Sequence, residues 1–389
     1  MYTTNESINR IMKDTIKLEK IAQSGKYARV FEVTTEHGKF ETPVFMPVGT
    51  TGSIKSLSFR DIDELGARII LANTYHLFLK PGIDIVKEHG GINHFMNYNS
   101  TILTDSGGFQ IMSLSKNLKI EKDGVWFRSY LNGDRFFISP ELSIDYQIGI
   151  GSDIIMAFDH PSFISDTFEE AKYKKEHTKD WLMKSFDEFK KKASYQNIFG
   201  IVQGGNYEQL RKESLDDIQN MPVNGIAIGG EAIGYDKNQT IQTLDWIKDY
   251  IDPNRLHYTM GVGDIDDIFE VVSRGIDMFD CVSPTRIARK GTAIVSFENG
   301  GNKTNRFRKD ITKSIYLKSF DKIDPWCDCF TCRNYSIGYI CHLFRSHELL
   351  AYNLLSIHNL RMMTKLMEEI RESIKLNTFE ELKAKWMNY

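Results

Sequence analysis

VFMPVGT (44–50), ARIILANTY (67–75), TILTDSGG (101–108), SDIIMAFD (152–159), QNIFGIVQGG (196–205), GIAIGGEA (225–232), LHYTMGVG (256–263) and GIDMFDCVSP (275–284) state one theme eight times. Each is a short apolar run rich in β-branched residues, and several close on Gly or Asp. Runs without polar alternation suit strands buried on both faces, as parallel sheets require. Between them lie stretches with helical spacing: 166–193, 207–220, 238–251 and 264–275. The first is expected to begin at Asp166 as N-cap, with acids early and lysines late, as the helix dipole favours. The last is expected to close on Gly275. Eight strands alternating with helices over roughly 245 residues predict a (β/α)8 TIM barrel. The rival is a doubly wound open sheet, which would want a G-x-G-x-x-G first turn; GGFQ and QGG do not supply one.

Working outward, the expected fold class is α/β: a (β/α)8 TIM barrel over 44–290 with antiparallel β insertions and a C-terminal zinc-binding subdomain. An N-terminal β leader (1–43) holds a hairpin over 26–43 that turns at His37-Gly38. Residues 118–138, with Asp-Gly and Asn-Gly turns, predict a β-hairpin insertion after the third strand. A basic, zinc-binding subdomain follows over 291–362, then a C-terminal helix over 363–389. The chain has 389 residues, 41% apolar and 26% charged, which excludes a disordered or fibrous protein. No apolar run approaches the ~18 residues of a membrane span. The first twenty residues carry no apolar stretch of the kind a secretion signal needs, and five cysteines in so long a chain suit a reducing compartment. A cytoplasmic protein is expected.

Barrel enzymes place their chemistry at the C-terminal ends of the strands. Asp105, Asp159 and Asp280 end the third, fourth and eighth runs, and Gln203 the fifth. One such Asp alone reads equally well as a helix cap. Three at one rim read as an active site, because an idle carboxylate beside apolar residues carries a desolvation penalty. Two carboxylates facing one carbon suit glycosidic chemistry, one as nucleophile and one as general acid/base. Glycine doublets at 107–108, 204–205 and 229–230 permit close approach of a flat ligand to backbone amides. Phe109 and Met260 would sandwich such a ring.

Two further features lie beyond the barrel. Between Arg286 and Lys318 stand nine Lys/Arg against Glu298 and Asp310, a local +7 in a chain of net −3. Beginning just past Asp280, that stretch suggests a polyanion that delivers its reactive part to the carboxylates. Cys327-x-Cys329-x-x-Cys332 sets three thiolates within six residues. With one of His342, His347 or His358 they would close a tetrahedral structural Zn²⁺ site; an iron–sulfur cluster would want a fourth thiolate, for which Cys341 is the nearby candidate. Cys281 reads as a small buried hydrophobe.

Taken together, TDSGGFQIMSL (104–114), GIVQGG (200–205), YTMGVG (258–263), FDCVSPTR (279–286) and C-x-C-x2-C-x25-H (327–358) resemble bacterial-type tRNA-guanine transglycosylases, the queuine tRNA-ribosyltransferase family, in order from about Thr42 to Leu360. The resemblance implies a zinc-containing barrel that exchanges the wobble guanine of GUN-anticodon tRNAs for a 7-deazaguanine. It implies double displacement, with no nucleotide cofactor. On it, Asp280 is the nucleophile at ribose C1′ and Asp105 the general acid/base. Asp159, Gln203 and the Gly230 amide read the base, Ser106 is a further substrate contact, and Phe109 and Met260 stack on it. Cys327, Cys329, Cys332 and His358 bind one structural Zn²⁺, and Arg286, Arg289 and Lys290 hold the anticodon loop. Tyr335, Tyr339 and His342 match the family's homodimer contact.

Two departures concern the incoming base. Glu231-Ala232-Ile233-Gly234-Tyr235 stands where the family pattern reads Leu-Ala-Val-Gly-Glu, and His160-Pro161 where it reads Glu-Cys. Both are expected on the side of the 7-substituent, so the base would be the 7-aminomethyl precursor or, given the altered residues, queuine. The competing functions are a catalytically silent tRNA-binding paralogue and a transglycosylase of another nucleic acid. Retained Asp105 and Asp280 argue against the first, and Cys327–His358 with Arg286–Lys290 against the second.

Overall fold

In the computed structural model, residues 16–114, 118–230 and 236–387 are described. All eight apolar runs form strands: Val44–Met46, Ile69–Ala72, Thr101–Thr104, Ile154–Met156, Asn197–Val202, Gly225–Ile228, Leu256–Thr259 and Met278–Asp280. They pair in parallel, in chain order, with the eighth beside the first at Met278↔Val44. The first and second meet through a Val48↔Leu71 bridge, where Leu71 N–H donates to Pro47 O at 3.0 Å and Gly49 N–H to Leu71 O at 2.7 Å. The cylinder is therefore closed, which removes every sheet edge.

Period-two alternation decides which side chains fill it. Met46, Leu71, Leu103, Met156, Ile201 and Met278 point inward into one apolar cluster. Their neighbours Phe45, Ile70, Ile102, Ile155, Val202 and Phe279 face the surrounding helices. Both sets are buried, which is why the runs show no alternation in polarity.

The leader closes the bottom of the cylinder. It is a three-stranded antiparallel sheet, Lys17–Ser24, Ala28–Thr35 and Gly38–Glu41, and so has one strand more than the expected hairpin. The extra strand is mostly exposed, so no apolar pattern announces it. Phe31, Val33 and Phe40 join the barrel interior. Arg29 donates to both oxygens of buried Asp277 (2.9 and 2.6 Å) at the start of the eighth strand, and His37 N–H donates to Asp153 Oδ1 at 3.0 Å beside the fourth. The opposite, C-terminal rim is left open.

The insertion is likewise three strands, Lys119–Glu121, Gly124–Arg128 and Arg135–Ile138, turning at Asp123-Gly124 and Asn132-Gly133. The helix Phe168–Lys192 is capped by Thr167, not Asp166. Thr167 forms a reciprocal capping box with Glu170, while Asp166 accepts from Phe163 N–H (2.6 Å) and pairs with Lys174 (2.5 Å). Glu208–Gln219, Lys237–Ile247 and Ile265–Val272 occupy the other expected stretches, and the chain turns at Gly275 with φ +86°. The division expected at residue 362 falls inside one continuous helix, Leu350–Lys375, which packs on the first barrel strand and the leader. Among the described residues no helix is long and apolar enough to cross a membrane.

Candidate active site and metal centre

Each expected rim residue lies at or within a few residues of the C-terminal end of a barrel strand, so all share the open end of the cylinder. Asp105, past the third strand, accepts from Thr74 N–H at 2.9 Å on Oδ1 and from Asn73 Nδ2 on Oδ2. Thr74 Oγ1 donates in turn to Asp105 O at 2.6 Å. Burial pushes the carboxyl up to about 6, Asn73 and Thr74 hold it down, and the charge of Asp280 lifts it further. The charge of Asp280 is thus felt at Asp105, and Tyr258 feels both.

Asp280 ends the eighth strand. Tyr258 Oη donates to its Oδ1 at 2.6 Å and Gly261 N–H to the same oxygen at 3.1 Å. Oδ2 is left without a neighbouring donor among the described residues. Burial raises the carboxyl, and Tyr258, Gly261 and the residue's own backbone N–H oppose the rise. The result is an oriented carboxylate with one lone-pair-bearing oxygen uncommitted, the arrangement a nucleophile needs.

Asp159 lies deeper. Ser106 Oγ donates to its Oδ1 (2.9 Å) and Gln203 Nε2 to its Oδ2 (2.8 Å), while Ser162 N–H holds Gln203 Oε1 at 3.0 Å. Burial brings this carboxyl to about 6 as well, against the pull of Ser106 and Gln203. Gly108 tolerates no side chain here, since a Cβ would meet Asp159 O at 2.9 Å. Phe109 and Met260, both half-buried, follow the third and seventh strands, which lie opposite one another in the ring of eight. Gly230 follows the sixth at φ +111°.

Past the rim, Arg286 and Lys290 are exposed around the helix Ser283–Ala288, and Arg289 Nη1 donates to Thr285 O at 2.8 Å. The rest of the basic stretch is not uniformly available, because Arg306 and Arg308 are both committed to Asp264.

The cysteine cluster resolves the choice of histidine. Cys327, Cys329, Cys332 and His358 are buried with their ligand atoms within 4.8 Å of one another. His358 Nε2 lies 2.8 Å from Ile294 O, and Nδ1 faces Cys332 Sγ at 3.2 Å and Cys329 Sγ at 4.0 Å. The carbonyl fixes the tautomer, so the Nδ1 lone pair points at the sulfurs, as a metal ligand's must. Cys341 is buried elsewhere, donating to Lys313 O at 3.4 Å, and supplies no fourth thiolate. Cys281 accepts from Ser283 N–H, and burial pushes its thiol up to about 12, which makes it inert.

A family model described as queuine tRNA-ribosyltransferase matches residues 23–389. Proteins named queuine tRNA-ribosyltransferase from Dictyoglomus turgidum, Bacillus licheniformis and a Thermoanaerobacter species are 43%, 46% and 45% identical to this chain. They cover 92%, 90% and 92% of it, and 91%, 89% and 93% of their own lengths. The chain belongs to the queuine tRNA-ribosyltransferase family. It is thus an enzyme of the glycosyltransferase class.

Not every expectation for this transferase places a residue at the mouth. His160 turns its ring away from Asp159 into the helix Phe168–Lys192, stacking on Trp181 at 5.9 Å with Nδ1 3.2 Å from that of His177. It is buried there, and burial lowers it to about 3. The alternation that points Asp159 inward sends the next residue outward. Residues 231–235, the other departure, lie outside the described residues. Sequence reading missed Asn73, Tyr258 and Gly261, which grip the two rim carboxylates. NTY (73–75) and YTMGVG (258–263) stand at strand ends, but nothing in their types marks them as partners of acids on other strands.

Proposed function

We propose that this transferase exchanges the wobble guanine of GUN-anticodon tRNAs for a 7-deazaguanine by double displacement. The observation that carries the reading is the pair Asp105 and Asp280, each gripped by its own donors at the C-terminal strand ends of one closed barrel. Asp280 Oδ2 attacks ribose C1′ as the C1′–N9 bond breaks, forming a covalent tRNA–Asp280 intermediate, and guanine leaves with its electron pair. Asp105, titrating near neutrality, protonates the departing base, then accepts the N9 proton of the incoming one. The new N9–C1′ bond expels Asp280. No energy source is required, because one glycosidic bond replaces another.

Asp159, Gln203, Ser106 and the Gly230 amide read the base edge, and Phe109 and Met260 stack on its faces. Arg286, Arg289 and Lys290 hold the loop, whose single-stranded state makes extruding the base cheap. Cys327, Cys329, Cys332 and His358 Nδ1 fit a structural Zn²⁺: three thiolates and a pre-oriented imidazole, buried, with no open position. Such an ion ties the 327–332 turn to the helix Leu350–Lys375 and takes no part in the chemistry. Stacked Tyr335 and Tyr339 (5.4 Å, 18°), with Tyr339 part-exposed, support a homodimer contact that His342 adjoins. The incoming base is the 7-aminomethyl precursor or queuine, and Tyr235 in place of a carboxylate favours queuine. The compartment is the cytoplasm.

The test supplies purified protein with unmodified GUN tRNA and labelled guanine, aminomethyl base or queuine in turn. Incorporation is expected, falling roughly 10³-fold or more in Asp280→Asn. Incorporation of none of the three bases, or full activity in that variant, refutes the mechanism.

A further inference from the structure

A buried cation stands directly behind the wall of the mouth. Arg211, on the helix Glu208–Gln219, is 0% exposed. Its Nε donates to Gly205 O at 2.8 Å, and its Nη1 to Val202 O at 3.1 Å and Gly229 O at 2.7 Å. All three acceptors are carbonyls at or just past the ends of the fifth and sixth strands. Nη2 has no partner among the described residues, and it lies 2.9 Å from where a Cβ on Gly230 would stand. Burial alone shifts the group, to about 10, and no acidic neighbour among the described residues offsets it. A buried guanidinium ordinarily carries a carboxylate, since an uncompensated charge in the interior is expensive.

The carbonyls it grips explain what the charge does. Gly229 O belongs to the same peptide as Gly230 N–H, and in a trans peptide the two point in opposite directions. Holding the oxygen on Arg211 therefore turns the N–H away from it. Gln203, bonded to Asp159, flanks the same peptide: a Cβ on Gly229 would meet Gln203 Nε2 at 2.9 Å. A cation on the carbonyl end also polarises the amide and strengthens its N–H as a donor.

We propose that Arg211 is a positioning residue for nucleobase recognition, presetting and polarising the Gly229–Gly230 peptide so that its N–H meets the exocyclic oxygen of the base. This rests on the role given to Gly230 above. Charge that spreads onto the base as its glycosidic bond breaks would then meet a strengthened donor.

The experiment compares competitive inhibition by guanine and by 2-aminopurine, which lacks that oxygen, in wild type, Arg211→Met and Arg211→Lys. Arg211→Met is expected to weaken guanine about tenfold or more and 2-aminopurine less than about threefold, with Arg211→Lys recovering part of the difference because it keeps the charge. A purely structural role would weaken both ligands alike, and that result overturns the inference, as does an unchanged guanine constant. Should Arg211→Met fail to fold, Arg211→Lys carries the same comparison against wild type. Wild type that incorporates no guanine into tRNA overturns the exchange reading and this inference with it; wild type that exchanges while both inhibitors weaken equally overturns the inference alone.

Discussion

Asp105 works under a penalty that can be measured. Its folded-state carboxyl sits at about 6, above the ordinary ~3.9 of an unfolded Asp. The folded state therefore holds this proton more tightly than the unfolded chain, and ionisation destabilises it as pH rises from about 4 through 6. Asp105→Asn removes that charge. It is expected to raise stability by on the order of 1–3 kcal/mol at pH 8, shrinking to nothing below pH ~4, when urea unfolding is followed at both pH values. Activity is lost in the same variant, the usual trade at a functional site. Tyr258 has the converse role, since its hydroxyl lowers the carboxyl of Asp280. In Tyr258→Phe the acid limb of the kcat/KM profile is expected to move up by about one pH unit, because a hydrogen bond to a charged group is worth about 1.5–3 kcal/mol. An unmoved limb would mean that Asp280 does not set it.

Three of the four candidate metal ligands sit on a short turn and helix. Cys329 caps the five-residue helix Phe330–Asn334, its sulfur accepting from Cys332 N–H at 3.3 Å, while His358 projects from the helix Leu350–Lys375. Metal analysis is expected to find one zinc per chain. Cys329→Ser should lose it and destabilise the protein by on the order of 3 kcal/mol or more in urea unfolding. Full metal content in the variant would remove Cys329 from the ligand set. The helices also show where sequence reading stops: Asp166 and Thr167 are both good caps, and only the reciprocal bond with Glu170 selects the second.

For the chain as a whole, charge is distributed by use. A net charge of −3 repels a polyanion, so tRNA must be met by a local face. Arg286 and Lys290 are exposed on the proposed face, whereas Arg306 and Arg308 share the single carboxylate of Asp264. Arg286→Gln and Lys290→Gln are each expected to reduce the slope of log affinity for tRNA against log salt by about 0.7, with thermal stability unchanged. Arg306→Gln should leave that slope where it is.

The eight strands and the acids that end them were readable without coordinates. A strand covered on both faces must be apolar throughout, whatever its neighbours are, and an acid closing such a run stands out against it. The cysteine triplet was readable for a similar reason, its members being close in the chain itself. Pairing between distant residues was not: the grip of Tyr258 on Asp280, the union of Arg211 with Gly229 and the outward turn of His160 depend on which strand ends and helix faces meet. Those meetings are set by closure of the cylinder and packing of its helices, and local residue types carry no record of them.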